Sequence, residues 1–426
     1  MARRREEGTP SPWRFVPILY FLQGLPLFVV QELATNFFTK MGVALGDIGG
    51  WMSLLRTPWT IKALWSPLVE VRSTKRAWIR VCQAAIFAGL CATALGAAST
   101  SFLPWTLGAL VFVAFASATF DIAADGFYIL ALDERRQAAF VGVRSVFYRV
   151  AGWFTLSALM LVAGALERTH SQSVTWRAVF FAAAAAYGAG ALVSAIVLPR
   201  PPRDVLGNAA TWPPFVPILR AYFRRERIGA ILAFILLYRL PESMISVYSG
   251  PFLLSPENGG LGLSSEQVGW IKGTVGLGAL IAGGLLGGAL IARNGIRRSF
   301  WPMVIAMNVP NVLYVWAAAA RPGPWPIGGL VAIDQFGYGF GFAAYMVYLM
   351  YLTQGERYPA AHYAISTALM SAAVQVANWI SGEIVRSVDF ERFFQIVCLC
   401  SVPGMLTLLF IPMDRDDLKV APTEPA

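Results

Sequence analysis

Charge is what this chain has least of. Only 14% of its 426 residues are Asp, Glu, Lys or Arg, against 57% hydrophobic, too few polar groups to coat a water-soluble globule of that length. Histidine occurs twice, at His170 and His362, each alone, so neither builds a metal or nucleophile constellation. The four cysteines, Cys82, Cys91, Cys398 and Cys400, all fall inside apolar runs without partner histidines, and read as small buried hydrophobes rather than disulfides or metal ligands. No signal-peptide pattern with a small-residue cleavage site occurs, so the first apolar run is expected to stay in the protein. No connection is large enough for a catalytic domain and neither terminus offers an output domain. An enzyme and a signalling receptor are therefore both disfavoured, and no cofactor is expected.

What is there in quantity is apolar sequence long enough to cross a bilayer. Twelve runs of roughly 20 residues recur, at about 15–38, 46–69, 78–99, 103–131, 138–164, 175–198, 228–254, 266–292, 300–320, 325–352, 361–386 and 391–413. The net charge of +10 is no nucleic-acid signal, because the cations follow alternate connections. With a cytoplasmic N-terminus, the outer segments hold only Lys40, Arg168, Arg177, Arg321, Arg386 and Arg392. That asymmetry places both termini inside. Residues 199–227 carry Pro199, Pro201, Pro202, Pro213, Pro214 and Pro217 and then Arg224, Arg225 and Arg227, as expected of a cytoplasmic linker meeting anionic headgroups. Halves 1–198 and 228–413 echo each other, with a tail over 414–426. Leu25-Pro26 recurs as Leu240-Pro241, DIGGWMS (47–53) as EQVGWIK (266–272), and Lys75-Arg76 as Arg297-Arg298, at nearly constant offset. The expectation is an all-α integral membrane protein of twelve transmembrane helices, in two pseudo-symmetric six-helix halves with the substrate near the midplane. That is the architecture of a major-facilitator transporter.

Against this apolar background the charges inside the spans stand out. They are Glu32, Arg56, Lys62, Asp121, Asp125, Arg144 and Arg149 in the first half, and Arg239, Glu242, Lys272 and Asp334 in the second. Each costs at least ~2.5–3.5 kcal/mol at a helix centre, so such residues face the interior, find partners and mark function. Asp121 and Asp125 lie four apart, on one helix face, in a stretch from Phe102 to Leu132 with no other charge. Spans 4 and 5 run antiparallel, so residues at equal depth have a nearly constant sum of residue numbers. That sets Asp121 against Arg149 and Asp125 against Arg144, with Lys62 competing for Asp125. Lys272 and Asp334 lie at similar depth and form a further candidate pair. The alternative is that these pairs merely staple helices together. Buried pairs are poor staples once desolvation is counted, which favours Asp121 and Asp125 in the transport cycle, as carboxylates that exchange a cation for a proton.

The residues also resemble a known family, the AmpG-type muropeptide permeases of the major facilitator superfamily. The carrying motifs are GLPL (24–27), KALWSPLVE (62–70), SATFDIAADGF (117–127), YRVAG (148–152), LYRLPE (237–242), VGWIKGTVGL (268–277) and AIDQFGYGFG (332–341). Lys62, Asp121, Asp125, Arg149, Arg239, Glu242, Lys272 and Asp334 match charged positions of that pattern. Glu32 and Arg56 depart from it, Arg239 replaces a lysine and Glu242 an aspartate. The resemblance implies a multi-pass protein of the cell inner membrane that imports anionic peptidoglycan fragments by proton symport and alternating access. A permease for a ferric siderophore or another anionic metabolite is the alternative.

The expected partners are thus a small anionic substrate, protons and the lipid bilayer, with a monomeric protein and no nucleic acid. The charge network is Asp121, Asp125, Arg144, Arg149, Lys62 and Glu32. The substrate-binding set is Arg56, Arg239, Glu242, Lys272, Asp334, Tyr148 and Tyr238, since guanidinium groups bind carboxylates bidentately and rings stack on sugars; Trp59, Tyr338 and Tyr345 are further ring candidates. SPLVEVRSTKR (66–76) supplies a candidate gating loop in Glu70, Arg72, Lys75 and Arg76, or simply positive-inside charge. GYGFGF (337–342) lies inside a span and is no dinucleotide loop. Glycines 284/288 and 337/341 are expected to let helices approach closely, and Pro26, Pro58, Pro67 and Pro241 to bend or break their spans.

Overall fold

A computed structural model describes residues 11–65, 68–69, 72–132, 134–202, 204, 215–352 and 359–413. Among these the ordered elements are helical. Ten helices are long and apolar enough to cross a membrane: α1 (Pro12–Lys40), α3 (Lys75–Ala97), α4 (Phe102–Ala131), α5 (Val143–Glu167), α6 (Gln172–Val197), α7 (Ile228–Leu254), α8 (Ser265–Ile291), α9 (Ile296–Ala320), α10 (Pro324–Tyr351) and α12 (Phe390–Leu409). Helices α2 (Leu45–Ile61) and α11 (Pro359–Val385) occupy the two remaining predicted runs. A short helix, Phe215–Phe223, lies in the linker.

Local chemistry fixes where several helices start. Thr74 caps α3 by accepting the Ala77 N–H at 3.2 Å, and Asp389 does the same for α12 through Arg392 at 3.0 Å. Ser264 and Gln267 form a reciprocal capping box ahead of α8, satisfying two orphan donors. Helices bend where proline or a π-helical turn interrupts the ladder. α7 breaks at Tyr238–Arg239, directly before Leu240-Pro241. Pro26 stays within a helical segment, Val16–Phe28, and a π-helical turn, Val29–Leu33, follows it. Two more π-helical stretches, Phe154–Ala158 in α5 and Gly269–Gly276 in α8, have no proline to announce them. Pro58 sits inside α2, which changes at Lys62–Leu64 to a 3-10 turn; Pro67 lies outside the described residues.

The chain forms two compact units. The first holds α1, α2 from Leu54 onward, and α3 to α6; the second holds Gly42–Ser53 with the linker helix and α7 to α12. In the first unit α3 packs along α4 and α6, and α1 along α5 and α4. Its core includes Phe37, which meets Phe38, Phe102, Trp176 and Phe180 edge-on or tilted. In the second unit α10 packs against α8 and α9, and α7 against α11 and α12. Its core gathers Phe234, Tyr238, Phe300, Met303, Tyr345 and Tyr348.

The glycines seat these helices with one change of register. Gly337 and Gly341 do face a neighbour, α9, where Cβ atoms would collide with Ala306 and Met307. On α8, however, Gly283 and Gly287 meet the α10 backbone, whereas Gly288 faces open space and Gly284 has clearance of 3.8 Å. The spacing of four was right and the face one residue off.

Candidate functional site

In the first unit the two aspartates of α4 are held differently. Asp125 accepts from Arg144 Nη2 of α5 at 2.9 Å and from the Tyr20 hydroxyl of α1 at 3.2 Å. The Arg144 guanidinium lies over the rings of Tyr20 and Tyr128, 4.4 and 5.1 Å from their centroids. Such a cation over aromatic rings is a cation–π contact, made more often by arginine than by lysine. Asp121, one turn earlier and 8% exposed, accepts from Lys62 Nζ at 3.3 Å. That is long for a charge-assisted bond, which ordinarily closes to about 2.7–2.9 Å. Lys62 reaches it from the 3-10 turn that ends α2, a turn fixed by Trp65, whose indole donates to Thr119 of α4 at 3.1 Å.

The depth argument is therefore met for Asp125 and Arg144, while Asp121 receives Lys62 where depth alone had set Arg149. Equal depth fixes height along the membrane normal and says nothing of azimuth around it. Tyr148 of α5 packs its ring on Phe28 and lies within electrostatic reach of Asp121, Arg56, Asp125 and Arg149. Arg56 Nη1 approaches Gln31 Oε1 at 3.5 Å, beside Glu32 on the π-helical turn of α1. The sequence reading passed over Tyr20 and Tyr128. Their signal was slight: Tyr20 stands among aliphatic residues of α1 and resembles any packing aromatic.

The second unit has its own cluster at the break of α7. Arg239, at the break itself, donates from Nη2 to Glu242 Oε2 at 3.0 Å and to the Tyr338 hydroxyl at 2.9 Å. Its guanidinium lies 5.4 Å from the Tyr338 centroid and 4.8 Å from that of Phe342. Both charged partners are 8% exposed. Asp334, on α10, accepts from Tyr314 at 3.1 Å and from Gln335 at 2.9 Å. Lys272 sits on the π-helical stretch of α8, which packs against α10. Tyr238 is 1% exposed, stacks on Tyr345 and donates to the Gly341 carbonyl at 3.0 Å. It fills the core and joins α7 to α10.

Of the candidate loop, Glu70 lies outside the described residues and Arg72 is exposed. Lys75 is buried instead: its stem lies along Gly126, directly after Asp125. The backbone N–H groups of Lys75 and Arg76 donate to Asp204, at 2.7 and 3.0 Å, and Arg76 Nε donates to the Leu198 carbonyl at 3.3 Å. Asp204, a linker residue no motif marked, thus serves as an anion at a helix N-terminus.

Comparison with known proteins places this geometry. A family profile described as Major Facilitator Superfamily matches residues 18–381. Among curated relatives, an anhydromuropeptide permease of Escherichia coli K12 is 25% identical over 92% of this chain and 78% of its own. A protein of Haemophilus influenzae described as uncharacterized is also 25% identical, over 94% of this chain and 95% of its own. A putative transporter AmpG 4 of Rickettsia conorii is 22% identical over 92% and 95%. Among solved structures, nucleoside transporter NupG superposes with a TM-score of 0.72 at 15% identity, covering 92% of this chain and 98% of that one. A D-xylose–proton symporter gives 0.71 at 12%, covering 93% and 96%. At those identities the structural likeness speaks to fold.

Proposed function

The chain belongs to the Major Facilitator Superfamily, as an AmpG-like, multi-pass protein of the inner membrane, and on that footing we propose that it is a proton-coupled importer of anionic peptidoglycan fragments. In this reading twelve helices span the membrane with both termini cytoplasmic, and the halves 1–198 and 228–413 alternate access to a central substrate. The named relative that carries anhydromuropeptides, similar along nearly the whole chain, supports the cargo. So does the surplus of cations in the first unit, where Arg56, Lys62, Arg144 and Arg149 stand against Glu32, Asp121 and Asp125. Arg239 and Glu242 neutralise each other in the second unit.

The observation that carries proton coupling is the unequal hold on the two aspartates. Asp125 has a short arginine bond, a tyrosine hydroxyl and a guanidinium held over two rings; it is anchored. Asp121 is the more buried and is held by a lysine at 3.3 Å. A flexible amine on a 3-10 turn withdraws at little steric cost, and a proton then replaces it as the partner of a carboxylate too costly to leave bare.

The test is uptake of labelled anhydro-muropeptide into liposomes bearing an imposed proton gradient. Wild type is expected to accumulate it, and Asp121→Asn to lose gradient-driven accumulation while still binding the ligand. Uptake of a ferric siderophore in its place would overturn the cargo, and unchanged accumulation by Asp121→Asn would leave that aspartate a staple.

A further inference from the structure

Within the first unit α3 packs against α4 and α6, and α1 against the same two helices. Each of the four brings an unused polar group to the neighbourhood of Asp121. The Tyr187 hydroxyl of α6, the Ser117 hydroxyl of α4 and Oε1 of Gln23 on α1 are buried without a hydrogen-bond partner. Tyr187 and Ser117 are 0% exposed and Gln23 7%. The fourth group is the free thiol of Cys82 on α3, also buried. Gln23 faces Asp121, Cys82 lies within electrostatic reach of that carboxyl, and Tyr187 lies within reach of both. Ordinary helix packing does not explain Ser117. Thr119, two residues on, returns its hydroxyl to the Phe115 carbonyl at 2.8 Å, and Thr93 and Thr106 bond backward likewise at 2.9 and 2.7 Å. Ser117 makes no such bond.

A buried polar group left unsatisfied costs about 1–3 kcal/mol, so a cluster of them calls for an occupant. These groups are neutral, and each hydroxyl both donates and accepts. Water, which needs two to four polar partners, fits that set. The polar groups also continue beyond the cluster, towards the ends of α3 and α6 that are cytoplasmic in the proposed topology. Tyr187 and Ser194 lie seven residues apart on one face of α6, about 10 Å along its axis. Ser194 is itself buried and accepts from Nε2 of Gln83, the neighbour of Cys82, at 3.0 Å. Past them, at the exposed surface, Arg80 Nη2 donates to the Ala195 carbonyl at 3.2 Å. A polar file thus leads from a buried carboxyl to the surface, between helices packed otherwise by residues such as Ile79, Ile86 and Val113.

We propose that water bound among Gln23, Cys82, Ser117 and Tyr187, and continued along Gln83 and Ser194, is the route by which Asp121 passes its proton to the inner side. The route rests on the proton-coupled reading of Asp121. When Lys62 returns to the protonated carboxyl, the carboxyl O–H bond breaks and its proton joins the adjacent water, which gives up a proton of its own to the next acceptor. The Tyr187 hydroxyl accepts on one side and donates on the other, so it ends as it began. One proton leaves at the surface, Asp121 remains as the carboxylate that Lys62 pairs with, and nothing is oxidised or reduced. The file lies wholly within one six-helix half. While Lys62 holds Asp121 there is no proton to pass, so the file does not leak.

The Cys82 thiol reports the water directly, because its S–H stretch is seen by infrared spectroscopy apart from other protein bands. In protein carrying Cys91→Ala, Cys398→Ala and Cys400→Ala, that band should sit on the hydrogen-bonded side. It should convert to S–D in deuterium oxide before the amides of the core helices exchange. Ser117→Val, which fills the site with methyl groups, should slow the conversion about tenfold. A free-thiol band that outlasts amide exchange would overturn the route. Transport tests the same file in liposomes. Tyr187→Phe should lower gradient-driven uptake of labelled anhydro-muropeptide at least about tenfold, while exchange of internal for external ligand, which needs no net proton release, keeps its wild-type rate. Equal loss of both would make Tyr187 a packing residue and overturn the route. Wild type that exchanges ligand but ignores the gradient would strike the proton reading of Asp121 and the route with it. A dry Cys82 thiol in a wild type that does respond to the gradient would strike the route alone.

Discussion

Arg144 meets Asp125 through one bond and two tyrosine faces through its plane, and the two kinds of contact separate on substitution. Arg144→Lys keeps the charge and loses the stacking. Because the site is partly solvated, each ring contributes about 0.5–1 kcal/mol. A double-mutant cycle of Arg144→Lys with Tyr20→Leu, followed by detergent-induced unfolding, should return a coupling of about 1 kcal/mol; additivity within error would mean the rings are bystanders. The charges themselves were legible in the sequence, because an ionisable side chain in an apolar run has few places to go. Their partners were legible only where antiparallel neighbours share depth, as for Asp125 and Arg144. Lys62 was legible as a member of the network, but its partner, Asp121 rather than Asp125, was not, because its reach depends on the 3-10 turn at the end of α2. No periodicity reports that turn. Tyr20 and Tyr128 escaped, and Tyr338 was read as a sugar-stacking ring rather than the partner of Arg239, for another reason: a tyrosine that binds an ion and one that packs a core, as Tyr238 does, are the same letter.

At the scale of helices, glycine decides how closely α8 and α10 approach, and by which face. A Cβ on Gly339 would run into the Leu280 carbonyl, and one on Gly283 into the Phe336 carbonyl, while Gly288 meets nothing within 4 Å. Backbone atoms cannot rotate aside as a side chain would. Gly339→Ala should therefore cost ~1–3 kcal/mol of stability, the usual toll of overpacking. Gly288→Ala should be neutral or stabilising by up to about 1 kcal/mol, since alanine is the better helix former. Thermal unfolding in detergent, comparing the two variants, decides it; equal losses would mean the α8–α10 seam is not where the packing is tight. The spacing of small residues was readable, and the contacting face was not, because 284/288 and 283/287 satisfy the same pattern. The π-helical turns in α1, α5 and α8 were likewise silent. The break in α7, by contrast, was announced by Leu240-Pro241.

For the whole molecule, composition and run length predicted helices throughout, and the described residues are helical in all twelve predicted runs, ten of which meet the length and hydropathy of a span. Which side each loop occupies is an electrostatic question, and here the charge balance argues directly. Cations crowd alternate connections, and the set expected outside is six residues, Lys40, Arg168, Arg177, Arg321, Arg386 and Arg392. Among the described residues Lys40 pairs with Glu167 at 3.7 Å, and Arg386 with Asp47 and Glu383. Arg220, Arg224, Arg225 and Arg227 crowd the connection between the halves, which in the proposed topology an anionic inner leaflet retains. Alkaline phosphatase, which folds only outside the cytoplasm, should be active when inserted at Thr169 or Asn258 and silent when fused after Met413. A fluorescent protein fused after Met413 should behave in the opposite sense. Active phosphatase at the C-terminal position would invert the topology, and with it the direction of the transport proposed above.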